Sequence, residues 1–68
     1  MAEAIVNGRR IYVPDATTDS EIRRQGGIRP GRTLIRNDDS GNYVVPEGSQ
    51  VDVDSGDVFT DAPRRVKG

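Results

Sequence analysis

The Asn7-Gly8 pair constrains the fold of this chain more than any other feature of its sequence, because it separates two short apolar runs. Two-residue hairpin turns need positive φ at both central positions, and Asn-Gly is the preferred pair for them. The pair therefore predicts a β-hairpin with strands over residues 3–6 and 10–13, in which Val6 lies opposite Arg9.

The two faces of this hairpin differ in character, because side chains alternate along a strand. The face that we expect to join the core carries Ala4, Val6, Ile11 and Val13. Ile5 and Tyr12 fall on the other face, close to diagonal across the two strands. We identify these two residues as a candidate partner-binding surface, with ordinary solvent-exposed surface as the alternative.

A short helix is predicted to follow the hairpin. Thr18 with Glu21 three residues later forms a capping box, and the Gly26-Gly27 pair favours a helix end. Ile22 is its clearest core contact. A helix of about two turns is marginal in isolation, so packing against a sheet must hold it in place.

Short strands make up the rest of the expected structure, at 33–36, 43–45 and 57–60, with a brief extended piece at 51–53 and a polar loop over 37–42. A single helix must then cover one face of a small mixed sheet, and a later strand can return parallel to the first. This element order predicts an α+β, β-grasp fold. The expected core residues are Val6, Ile11, Val13, Ile22, Leu34, Val44 and Phe59.

The composition excludes most catalytic chemistry. A chain of 68 residues forms one small domain at most, and it has neither Cys nor His. Imidazole or thiolate metal sites and His-activated nucleophiles are therefore absent, so we expect no enzyme activity and no cofactor. Asp52, Asp54 and Asp57 resemble part of a Ca²⁺ loop but lack its closing Glu, which favours a solvated loop.

Charge and hydropathy limit the classes of partner that the chain could bind. The net charge of −1 comes from 10 basic and 11 acidic side chains in mixed order, which argues against nucleic-acid binding. The longest apolar stretch has three residues, so we expect no membrane span. No secretory signal pattern opens the chain, and we expect a cytoplasmic protein.

Four segments, at 6–15, 18–22, 27–31 and 57–59, resemble in their order and spacing those of bacterial ubiquitin-like domains. The likeness is to the multi-ubiquitin type and its single-domain relatives, some of which belong to antiphage defence systems. It implies a protein modifier that is activated at its C-terminal glycine. The implied partners are an activating enzyme, a conjugating enzyme, a deconjugating metalloprotease of the JAB type and target proteins.

The end of the sequence fits this resemblance. We expect a domain over 1–61 and a flexible tail over 62–68, with conjugation at Gly68, since glycine has no Cβ to clash in a narrow channel. Seven basic and eleven acidic side chains remain outside the tail, for a net charge of −4. The tail residues expected to be recognised by partner enzymes are Arg64, Arg65, Val66 and Lys67.

Two other functions stay open at this point. A sulfur carrier has the same fold and the same adenylation step, but such proteins nearly always end in Gly-Gly, whereas this chain ends in Lys67-Gly68. A non-covalent interaction module would use the Ile5 and Tyr12 surface and leave the tail without a role. Lys67 is the only lysine, so a modifier with this sequence is not expected to build lysine-linked chains on itself.

Overall fold

A computed structural model describes residues 1–63 of the chain as seven strands and one helix. In chain order the elements are β1 (Ala2–Val6), β2 (Arg9–Val13), β3 (Ala16–Thr18), α1 (Asp19–Gly26), β4 (Arg32–Asp38), β5 (Gly41–Val45), β6 (Gln50–Asp52) and β7 (Asp57–Pro63).

Five of the strands form one mixed sheet in the order β2-β1-β7-β4-β5. The central strand β7 runs parallel to β1 and antiparallel to β4, while the two outer pairs are antiparallel hairpins. β3 and β6 make a separate antiparallel ribbon. The chain is therefore an α+β protein, and the predicted parallel return of a late strand beside the first one is confirmed.

The predicted hairpin is confirmed in its turn and in its register. Asn7 and Gly8 both have positive φ, at 51° and 80°. Val6 lies opposite Arg9, and the remaining pairs of β1 and β2 follow without a bulge. The two-residue turn thus sets the register of β1 and β2, and the register determines which of their side chains face the core.

The helix α1 begins and ends at the predicted caps. Thr18 is extended, and its Oγ1 accepts a hydrogen bond of 3.3 Å from the Glu21 backbone N–H. Gly27 is left-handed, with φ of 72°, and its N–H bonds back to the last turn. Ile22 is fully buried, as predicted. No helix within residues 1–63 has the length and apolarity to cross a bilayer.

The core lies between α1 and one face of the five-stranded sheet. Its buried apolar residues are Ala2, Ala4, Val6, Ile11, Val13, Ile22, Leu34, Val45, Val51, Val53 and Phe59. The hairpin face predicted to join the core is buried throughout. The helix approaches it so closely that a Cβ on Gly26 would lie 2.6 Å from Val6 Cγ1, so only glycine allows this approach.

The prediction that Val44 belongs to the core is wrong. Val44 is 65% exposed, and its neighbour Val45 is buried. Residues directly opposite each other on paired strands share a face, and Leu34, which is buried, lies opposite Val45. Val44 lies opposite Ile35 and therefore faces away from the helix.

Three other boundaries differ from expectation. The polar loop expected over 37–42 shrinks to a two-residue turn, because β4 and β5 pair up to Asp38 and Gly41. The strand β3 was not predicted; it exists because Thr17 pairs with Val51 of β6. The last strand continues beyond Thr60 to Pro63, which lies opposite Arg32.

Replacing Ile22 by Ala should destabilise the domain by about 2–5 kcal/mol, because it removes the only buried apolar side chain of α1. Chemical denaturation followed by circular dichroism measures this change. The matched control is Val44→Ala, which should alter the free energy of unfolding by no more than about 0.5 kcal/mol. Equal losses in the two variants would contradict the assignment of faces.

Candidate functional site

Asp61, two residues before the end of β7, joins three elements at the point where the chain leaves the sheet. Asn7 Nδ2 donates to Asp61 Oδ1 at 2.9 Å, and the Asp61 N–H donates to Asn7 Oδ1 at 3.3 Å. Arg32 Nε donates to Asp61 Oδ2 at 2.8 Å. The hairpin turn and the start of β4 are thereby both fastened to the last residues of β7.

The charge of Asp61 is favoured by this arrangement. The hydrogen bond from the Arg32 guanidinium, followed by that from the Asn7 amide, holds the pKa of the Asp61 carboxyl below its usual value. The side chain of Asp61 is only 19% exposed, so screening by solvent is incomplete.

A wider polar network connects the corner around Asp61, where Asn7 and Arg32 contact its carboxylate, to the helix. Arg23 Nη1 donates to the Arg32 carbonyl at 2.7 Å, and Arg23 Nε donates to Asp19 Oδ2 at 3.3 Å. Asp19 Oδ1 in turn accepts a bond of 2.9 Å from the Gly48 N–H. A continuous series of polar contacts therefore runs from the turn before β6, through α1 and β4, to Asp61.

Ile5 and Tyr12 share the sheet face that points away from α1, as predicted. Ile5 is half-buried, while Tyr12 is 52% exposed. The Tyr12 hydroxyl lies 3.4 Å from Glu3 Oε2, and Glu3 also forms an ion pair with Arg10 at 2.6 Å. The two predicted residues are thus brought to one surface with a polar border at the β2 edge.

This surface extends across the whole sheet, which the sequence analysis did not predict. Val58 lies opposite Ile5, and Ile35 lies opposite Val44. The apolar residues that form this outer band are Tyr12, Ile5, Val58, Ile35 and Val44. Alternation along the strands could have placed Val58 and Ile35 on this face, since each is next to a buried residue in the sequence. Extending the band to β5 also required the register that puts Val44 opposite Ile35.

The residues predicted for conjugation and recognition, Gly68 with Arg64, Arg65, Val66 and Lys67, lie outside the described residues. Two residues of the expected tail belong to the sheet, because Ala62 and Pro63 pair with Thr33 and Arg32. The described part thus ends at a fixed place, beside the hairpin turn and the start of β4.

Of the three aspartates considered for a Ca²⁺ loop, Asp57 has other partners. Asp57 Oδ2 accepts a hydrogen bond from Arg36 and another, at 2.9 Å, from the Asp54 N–H. Across residues 1–63, no group of three or more His, Cys, Asp or Glu side chains is placed to hold a metal ion.

The chain matches no protein-family model, no curated protein and no solved structure. What its geometry defines is a class: a small α+β domain whose central strand ends at Pro63, beside the hairpin turn and the start of β4. Among residues 1–63, no element covers the apolar band on the sheet face opposite the helix.

Asp61→Asn should lower stability by about 1 kcal/mol at neutral pH, because it removes the ionised partner of Arg32. The lowered pKa of Asp61 means that its contribution is present above the unfolded-state pKa, about 3.9, and is lost as the pH falls through the folded-state pKa. The stabilities of the two proteins should therefore converge once the pH lies below the folded-state pKa of Asp61.

Thermal unfolding across this pH range measures the effect. Asp52→Asn is the control, since Asp52 is exposed and forms no ion pair among the described residues. A stability difference between Asp61→Asn and the original chain that persists unchanged at the acid end would show that the Asp61 charge has no such role.

Proposed function

We propose that the chain is a ubiquitin-like β-grasp protein modifier, which an activating enzyme adenylates at the carboxylate of Gly68 and a conjugating enzyme transfers to target proteins. The observation that supports this proposal is the sheet order β2-β1-β7-β4-β5 with parallel β1 and β7, crossed by one helix. That order is the one expected of a β-grasp domain, and it makes the last described strand the central one.

The chemistry places few demands on the modifier itself. Its carboxylate attacks the α-phosphate of ATP and forms an acyl adenylate, with pyrophosphate as the leaving group. A thiolate of the partner then takes the acyl group and AMP leaves. The reacting groups other than the carboxylate belong to the partner, so a chain without His or Cys is suited to this role.

The corner around Asp61 supports the proposal because it gives the C-terminal segment a rigid starting point. β7 is held on both sides by neighbouring strands, and Asp61 is bonded to Asn7 and Arg32. The five residues after Pro63 span at most about 18 Å when extended. A short segment on a fixed base loses less conformational entropy on entering a narrow site than a long one does.

A second function, a non-covalent interaction module, is favoured by the outer band. Tyr12 and Val44 are 52% and 65% exposed on a face that no element of residues 1–63 covers. Exposed apolar patches with polar borders are typical of protein interaction sites. A modifier also needs such a surface for its enzymes, so the band is compatible with both functions.

Deleting Gly68 should abolish ATP–pyrophosphate exchange by the cognate activating enzyme. Gly68→Ala should slow the exchange, because the added Cβ would clash with the walls of a narrow channel in that enzyme. Ser55→Ala is the control and should exchange at the original rate, since Ser55 is exposed in the turn before β7, far from Gly68 in the sequence. Undiminished exchange after the deletion would refute activation at Gly68. Binding to a partner that is unaffected by the deletion, without any exchange, would favour the interaction module.

A reaction of the chain with its activating and conjugating enzymes should give no polymer joined at lysine. Lys67 is the only lysine, one residue from the reacting carboxylate, and arginine cannot replace it because its guanidinium stays protonated. Mass spectrometry of the products checks this, with Lys67→Arg as the control that should give the same pattern. A ladder of species linked at Lys67 would overturn the expectation.

A further inference from the structure

Most of the arginines in residues 1–63 are neutralised by a nearby carboxylate. Five of them form ion pairs, with Glu3, Asp19, Glu21, Asp61 and Asp57. Arg9 and Arg29 are exposed and have neither an ion pair nor a side-chain hydrogen bond to another described residue. These two cations are therefore available to a partner.

Both arginines lie at the end of the sheet where the chain leaves β7. Arg9 opens β2 directly after the turn whose Asn7 is bonded to Asp61. The carbonyl of Arg29 accepts a hydrogen bond of 3.3 Å from the N–H of Arg32, the residue opposite Pro63. They flank the corner from two sides, one on the hairpin and one on the turn before β4.

Carboxylates without an ion pair lie at the other end of the sheet. Asp38 is the last residue of β4 and Asp39 follows it, whereas the first residue of β4 is beside Pro63. Asp54 precedes β7. Asp52, at the end of β6, also lacks an ion pair. Within residues 1–63 the unpaired charge is thus separated along β7. The cations lie at the exit corner, which is the end of the sheet where Asp61 contacts Asn7 and Arg32, and the anions lie at the opposite end.

We propose that Arg9 and Arg29 form, on the folded domain, a basic docking surface for an acidic protein surface that surrounds the site taking the C-terminal carboxylate. The surface is defined by the described residues Arg9 and Arg29 alone. This inference rests on the proposed function for the identity of the partner, but the charge separation itself does not.

Charge separation makes the approach directional. The whole chain has a net charge of −1, so its net charge alone does not attract an acidic partner. The exit corner attracts such a partner and the far end repels it, which favours encounters in which the end of β7 faces the partner. The effect requires exposed charges and is weakened by salt, since the Debye length is about 8 Å at physiological ionic strength.

The first experiment uses poly-L-glutamate as an acidic probe and follows the full chain by NMR at low salt. Amide shifts should concentrate at the turns that carry Arg9 and Arg29. The double variant Arg9→Gln, Arg29→Gln should bind the probe about five- to tenfold more weakly, a size typical of two exposed charges. The matched control, Arg10→Gln with Arg24→Gln, has the same net charge and should change affinity by less than about twofold.

Equal losses in the two double variants, or shifts spread evenly over the arginines, would overturn the proposal, as would an original chain that does not bind the probe. Such results would show that affinity follows net charge rather than the exit corner.

The second experiment measures ATP–pyrophosphate exchange with the cognate activating enzyme. The Arg9→Gln, Arg29→Gln variant should raise the KM for the chain about five- to tenfold with kcat unchanged, and high salt should remove the difference. An unchanged KM would contradict docking on this enzyme. If the original chain supports no exchange at all, the proposed function fails, while the poly-L-glutamate measurement still decides whether the surface exists.

Discussion

The placement of the helix depends on the contacts of the buried Asp19 carboxylate with the Gly48 N–H and the Arg23 side chain. The helix α1 buries one apolar side chain, Ile22, whose burial contributes only about 1.5–3 kcal/mol. Asp19 is 2% exposed, accepts a hydrogen bond from the Gly48 N–H and pairs with Arg23. Removal of one partner of such a pair leaves the other charge buried without compensation, so a substitution at Asp19 or Arg23 alone should disturb the placement of α1.

The same contacts relate the helix to the place where the chain leaves the sheet. Arg23 bonds both to Asp19 and to the Arg32 carbonyl, and the Arg32 side chain pairs with Asp61. The position of α1 and the end of β7 are therefore linked through a few side chains. For a modifier, whose reaction requires its C-terminus to enter another protein's site, a fixed exit from the sheet reduces the entropy lost on binding.

The sequence predicts those parts of the fold that local chemistry determines. Asn7-Gly8 sets the hairpin register, and Thr18 with Gly27 sets the helix ends. Two adjacent valines in β5 left its register open, because alternation alone cannot say whether Val44 or Val45 faces Leu34. The contacts of Asp61 could not be predicted because its partners Asn7 and Arg32 are 54 and 29 residues away in the sequence, so no short motif indicates them.

Conjugation itself is tested most directly by recovering the chain, with an N-terminal affinity tag, from the cells that encode it under denaturing conditions. Trypsin cleaves after lysine, so digestion after Lys67 would leave Gly68 alone on any acceptor. The proposed function predicts peptides of other proteins that carry a single glycine on a side-chain amine or hydroxyl, and none when Gly68 is deleted. Recovery of the unattached chain alone, from cells in which its activating enzyme is present, would contradict it.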